Sequence, residues 1–286
     1  MVYASRWRVA GFVLTYLVFA AICFVTLARD DDLGFGRKPW QNFKQTAAEM
    51  AHPSFLDVWF GTTRLEYKND DGQVLRVENR QAVEAKFLRG LASAVWTTLR
   101  IATLGTLLAG LFALPFGFLT AKNLAAPKWL SIPAKFSLDA CRSIHTLVFG
   151  LFLVGIVGLG PTAGILAIAV HSMGSFGKLY AEAIESLDMS AVDAVRAVGA
   201  RPLQVFFLGV WPTVFPQLVS SHFYVWEFNI RDSTVLGLVG AGGLGLLVSE
   251  AISLFQWSRM ATILLVIIAM VMALDSLSRA VRSRLL

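Results

Sequence analysis

Charge and cysteine are both scarce in this chain of 286 residues. Charged side chains form 15% of it, where soluble domains carry about 25%, and 56% is hydrophobic. That balance excludes a soluble globule. Two cysteines, Cys23 and Cys141, lie far apart in or beside apolar runs, which indicates neither a metal site nor a disulfide framework. A basic stripe is missing too. The formal charge is +6, but Lys and Arg are scattered at the ends of apolar runs, so nucleic acid is not an expected partner. No G-x-x-x-x-G-K-[ST] pattern occurs, and no polar stretch is long enough to fold a catalytic domain, so the chain is expected to hydrolyse nothing itself. Gly240-Ala241-Gly242-Gly243-Leu244-Gly245 satisfies G-x-G-x-x-G, but a dinucleotide site needs an acidic residue about 20 positions on, and residue 265 is Leu. The glycines Gly240, Gly242, Gly243 and Gly245 instead read as a re-entrant turn, backbone that leaves the helix where it packs on protein or lines a cavity.

What is abundant is apolar sequence in long runs. A helix needs about 20 apolar residues to cross the hydrocarbon core, and six segments qualify: Trp7 to Ala28, Ala92 to Thr120, Phe136 to Val157, Thr162 to Tyr180, Val205 to Trp226 and Arg259 to Leu277. The first is too long for a secretory signal and has no small-x-small cleavage site, so it is expected to be retained. Basic residues precede the first span, separate the second from the third and the fourth from the fifth, and follow the sixth, which predicts a multi-pass protein of the cytoplasmic membrane with both termini in the cytoplasm. Three regions follow: the N-terminus and first span (1–28), an extracytoplasmic insert (29–91), and a five-helix core (92–286).

The insert carries ten basic and ten acidic residues. Thr62 to Lys68 and Gln73 to Asn79 alternate apolar and polar side chains around Asn69-Asp70-Asp71-Gly72, the pattern of a small β-hairpin, and Gln81 to Leu91 reads as an interfacial helix leading into the second span. It is either a solvated loop or a docking surface.

Ionisable groups within spans each need a reason, because burying them in lipid is unfavourable. Asp139, Arg142 and His145 recur every three residues and share a face: either an Asp139 to Arg142 pair with a satisfied histidine, or a cationic patch that an anion passes. Glu227 and Arg231 are spaced to pair, or Arg231 meets the substrate. His171 and His222 read as satisfied polar groups at helix contacts, and Asp275 and Arg279 as an i, i+4 pair. Arg142, His145, His171 and Arg231 are the candidates for a translocation path or gate. No metal-ligand cluster is indicated.

The loop after the fourth span is the most informative polar segment. Ser190 is placed to cap a short helix, Asp193 to sit in its first turn, and Gly199 to end it before Pro202. The loop resembles the coupling loop of type I ABC importer permeases, whose signature runs E-A-A, three residues, G, nine residues, an aliphatic residue, and Pro three positions later. Asp193-Ala194-Val195 stands for E-A-A, Gly199 for G, Gly209 for the aliphatic residue and Pro212 for Pro. On either side of that loop, Asp139-Ala140-Cys141-Arg142, Val157-Gly158-Leu159-Gly160-Pro161 and the run Glu227 to Gly245 resemble the phosphonate importer permease family, over roughly Gly90 to Leu286.

The resemblance implies an all-α integral membrane protein of six transmembrane helices in the type I ABC importer permease (MetI-like) fold, with the hairpin insert as an addition. It implies a permease for phosphonate or a related tetrahedral oxyanion, phosphate or phosphite. A coupling helix at about 190–201, with Ser190, Asp193, Ala194, Arg196, Ala197, Gly199 and Ala200 as its contacts, would dock on two ATP-binding subunits, where ATP and Mg reside. A second permease copy or paralogue, an extracytoplasmic binding protein and the lipid bilayer complete the partners; no cofactor is expected in this chain. The alternatives are a gradient-driven carrier using intramembrane His and Arg, or an importer of another substrate.

Overall fold

A computed structural model describes residues 2–29, 38–60, 64–68, 74–124 and 127–285. It divides into two compact units, Met1–Glu49 and Met50–Leu286. In the first, α1 (Val2–Arg29) exposes every described side chain and is long and apolar enough to cross a membrane. Helix α2 (Pro39–Met50) is amphipathic, with Trp40 stacked on Phe43 and Lys44 over the Trp40 ring.

The second unit opens with α3 (Leu56–Phe60) and two antiparallel strands, β1 (Arg64–Lys68) and β2 (Val74–Asn79), in the register Arg64 to Asn79 through Tyr67 to Arg76. The turn expected at 69–72 lies outside the described residues. Helix α4 (Arg80–Thr120) starts where Asn79 Oδ1 accepts from the Gln81 amide and runs 41 residues unbroken, so the interfacial helix and the second span are one element. Buried ion pairs secure its start, Arg80 to Asp57 at 2.7 Å and Arg259 to Glu84 at 2.9 Å.

The third span is not straight. Helices α5 (Lys128–Ser143) and α6 (Thr146–Val157) meet at 91°, because Ile144 and His145 are extended and His145 Nδ1 caps α6 by accepting from the Leu147 amide. Helix α7 (Pro161–Glu185) is long enough to span but is interrupted by glycine, serine and His171. It is the central packing element. Glycines of α4 let that helix close on it: a Cβ on Gly105 would sit 2.7 Å from the Ile168 side chain, and one on Gly117 2.7 Å from Tyr180 Cβ. Among the described residues, four helices are long and apolar enough to cross a membrane, or five if the bent pair is one span. The six expected included α7, whose polar interruptions keep it below that measure, and the elbowed third.

Beyond α7 come α8 (Met189–Ala197), α9 (Pro202–Val205), a π-helical turn at Phe206–Val210, and α10 (Trp211–Leu236). The fifth span therefore reaches ten residues past Trp226, through a stretch the sequence assigned to the outer loop. A kinked segment (Gly237–Ala241), α11 (Leu244–Ser253) and α12 (Trp257–Leu285) complete the unit. The glycine run does form a turn: Gly240, Gly242 and Gly243 have φ of +96°, +87° and +72°, backbone that glycine alone adopts freely. The turn is pinned where the Leu244 amide donates to Thr98 Oγ1 at 2.9 Å and the Gly160 amide to the Gly240 carbonyl at 2.9 Å.

Candidate functional site: a polar cavity and a lever helix

A cavity of about 720 Å³ opens between α5, α7 and α10, lined among others by Asp139, Arg142, His171, Ser172, Ser175 and Lys178. Its position follows from the elbow. The break after Ser143 lets α5 lie against α7, and Gly174 makes the contact, because a Cβ there would fall 2.7 Å from the Arg142 amide. No larger residue would seat Arg142 so close. A second cavity of about 400 Å³ shares Asp139, Arg142 and Lys178 with the first.

Two ion pairs stand where the cavities meet. Asp139 Oδ1 accepts from Arg142 Nε at 2.9 Å, with Nη2 2.9 Å away in an ion pair, and Lys178 Nζ lies 3.5 Å from Glu182. Deeper in, Ser172 donates to Asn229 Oδ1 at 2.9 Å, and Asn229 Nδ2 donates to Thr106 Oγ1 at 2.8 Å. Asn229 and Thr106 are fully buried, so this short chain of hydrogen bonds satisfies polar groups that lipid could not.

Three of the four path candidates come together. Arg142 and His171 line the cavity, and the His145 and His171 rings are 6.5 Å apart. Both histidines are engaged locally. His145 Nδ1 accepts from an amide, whereas His171 Nδ1 lies 2.8 Å from the Ile144 carbonyl oxygen, which only accepts, so that nitrogen carries the proton. Arg231 lies elsewhere. It reaches Glu227 at 2.7 Å and Asp275 on α12 at 3.2 Å, with Arg282 on the other Glu227 oxygen at 3.3 Å. Asp275 thus pairs across helices with Arg231, and Arg279 turns to Ser276. His222 stacks on Phe176.

Ser172, Ser175, Lys178 and Asn229 are not among the path candidates read from sequence; the available signal is a polar side chain inside an apolar run.

Helix α8 is capped two residues earlier than expected. Asp188, not Ser190, is the N-cap: its carboxylate accepts from the Ser190 amide at 3.0 Å, which holds its pKa below the ordinary range. Asp193 lies past the first turn and pairs with Arg196 at 3.2 Å. Gly199, with φ +80°, donates its amide to the Arg196 carbonyl and ends the helix in the left-handed region. One face is fixed: Val192 is buried, and a Cβ on Gly209 would lie 3.4 Å from Val192 Cα. Asp193, Ala194, Arg196, Ala197, Val198 and Gly199 are exposed, Val198 at 83%.

Apolar helices around a cavity with two cationic side chains, joined to a short helix that is half packed and half bare, define a membrane transport subunit. Residues 113–286 match the family described as binding-protein-dependent transport system inner membrane component, and the chain belongs to that family. Among its relatives are the putative phosphite transport system permease protein HtxC of Stutzerimonas stutzeri, 40% identical over 65% of this chain and 66% of that protein, and the phosphate-import permease protein PhnE of Mycolicibacterium smegmatis, 36% identical over 68% and 37%. The chain thus spans about two thirds of the first and just over a third of the second. The fold matches a structure of the MetNI methionine ABC transporter in an inward-facing conformation, with TM-score 0.63 and 22% identity over 70% of this chain and 98% of that one.

Proposed function

We propose that this chain is the permease subunit of an ATP-driven importer of a tetrahedral oxyanion: phosphite, phosphonate or phosphate. The observation that carries this is the two-sided character of α8. Val192 fastens the helix to the membrane bundle against Gly209, and the opposite face, small and bare, suits a cleft on another subunit. Ala194, Arg196, Ala197, Gly199 and Ala200 would contact an ATP-binding subunit, with Ser190 and Asp193 supporting the first turns. Closure of two such subunits on ATP and Mg would then pull on α10 through the π-helical turn at Phe206–Val210. The cavity chemistry fits the cargo of the relatives, since Arg142 offers a planar fork and Lys178 a point charge to phosphorus oxyanions.

In this arrangement both termini and α8 face the cytoplasm, and the paired strands and the glycine turn face the outside, where a binding protein would deliver substrate. A second permease copy or paralogue would complete the pathway. Reconstitution into liposomes with two ATP-binding subunits and the binding protein tests the reading. Uptake of phosphite, methylphosphonate or phosphate should require ATP and survive an uncoupler. Uptake that survives ATP depletion and collapses with the uncoupler, or no uptake of any of the three, overturns it.

A further inference from the structure

The cation best placed to meet an incoming oxyanion is already occupied. Arg142 Nε donates to Asp139 Oδ1 and Nη2 lies 2.9 Å from the same oxygen, so the carboxylate holds the fork that a phosphorus oxyanion would take. Asp139 lines both cavities, and its side chain is 46% exposed, so the pair is half-solvated and of the weak kind that exchanges readily. Lys178, the other cation shared by the two cavities, likewise holds Glu182 at 3.5 Å. The neutral lining completes a receptor. Ser175 makes no side-chain hydrogen bond to another described residue and is a free donor, whereas Ser172 has its proton committed to Asn229.

We propose that Asp139 is an internal competitor for the transported anion. On arrival the oxyanion takes the two Arg142 donors, and Asp139 swings free. When Asp139 returns, it drives the anion from the fork toward Lys178 and the second cavity. The exchange moves no proton and makes no bond; its effect is to keep the site weak, so that cargo leaves as readily as it enters. The inference rests on the oxyanion-importer reading above.

The test uses the whole transporter with its ATP-binding subunits in nanodiscs, with labelled inorganic phosphate and methylphosphonate as probes. Equilibrium binding is measured without the binding protein, and ATP-driven uptake is measured with it in liposomes. Asp139→Asn should tighten binding at least tenfold and lower maximal uptake at least fivefold. Asp139→Ser, a smaller neutral replacement, should move both the same way, Asp139→Glu should stay within twofold of wild type, and Arg142→Gln should lose both. Neutral variants that bind no tighter than wild type, or that lose binding as Arg142→Gln does, overturn the proposal. Wild type that transports none of the anions removes the importer reading itself; wild type that transports while the neutral variants are unaltered removes only the competitor.

Discussion

Arg142 and Arg231 look alike in sequence, each a charge inside an apolar run with an acidic residue three or four positions away, yet the structure gives them different work. Arg142 faces a cavity with one carboxylate, whereas Arg231 is paired with both Glu227 and Asp275 in a network that also holds Arg282. Arg231→Gln is therefore expected to lower the melting temperature of the purified transporter while leaving phosphate binding within twofold, and Arg142→Gln to do the reverse. Asn229 is a third case. Replacing it with Leu removes the hydrogen bonds to Ser172 and Thr106 from a fully buried site, which should destabilise the bundle by about 1–2 kcal/mol; thermal unfolding in detergent measures it. These distinctions were only partly legible in sequence. Spacing grouped Asp139, Arg142 and His145, because three-residue intervals on a helix share a face. It could not place Asn229 beside Ser172, 57 positions away, nor show that Asp275 would prefer Arg231 to Arg279.

At the scale of elements, ends were harder to read than middles. Hydropathy located the apolar runs, but it counts residues and is blind to direction, so the 91° elbow at Ile144 and His145 was read as one span. Helix α8 was legible because its signals are local: small residues, a terminating glycine and a following proline. Its cap lies two residues earlier, since Asp188 and Ser190 are both good caps and the chain uses the first, and that shift carries Asp193 past the first turn. Gly199→Val should strain the left-handed end by roughly 1–2 kcal/mol and, with Gly209→Leu pushing on Val192, should release an ATP-binding subunit that wild type retains on co-purification. Because the Asp188 pKa is lowered in the folded chain, its capping contribution is fully present above the ordinary value of 3.8 and is lost only as pH falls through the lower folded value. Subunit retention should accordingly be flat between about pH 6 and 8, and a sloping profile in that window would show that another group controls α8.

For the molecule as a whole, a helix long enough to span but too polar to count as a span by itself is the one most enclosed by protein. Helix α7 meets α4, α5, α6 and α10, and its Gly, Ser and His residues are affordable only there. That has a consequence for biosynthesis. A nascent α7 leaving the ribosome has little tendency to partition into the bilayer alone, so α4 must already be in the membrane as a template. A chain carrying Gly105→Leu, which bars the Ile168 contact, should hold α4 in the membrane but leave α7 accessible to a thiol reagent or protease from the aqueous side. Equal protection of α7 in that variant and in wild type would show that it inserts on its own. The small-residue seam would then be as much an instruction for the order of membrane insertion as a feature of the finished bundle.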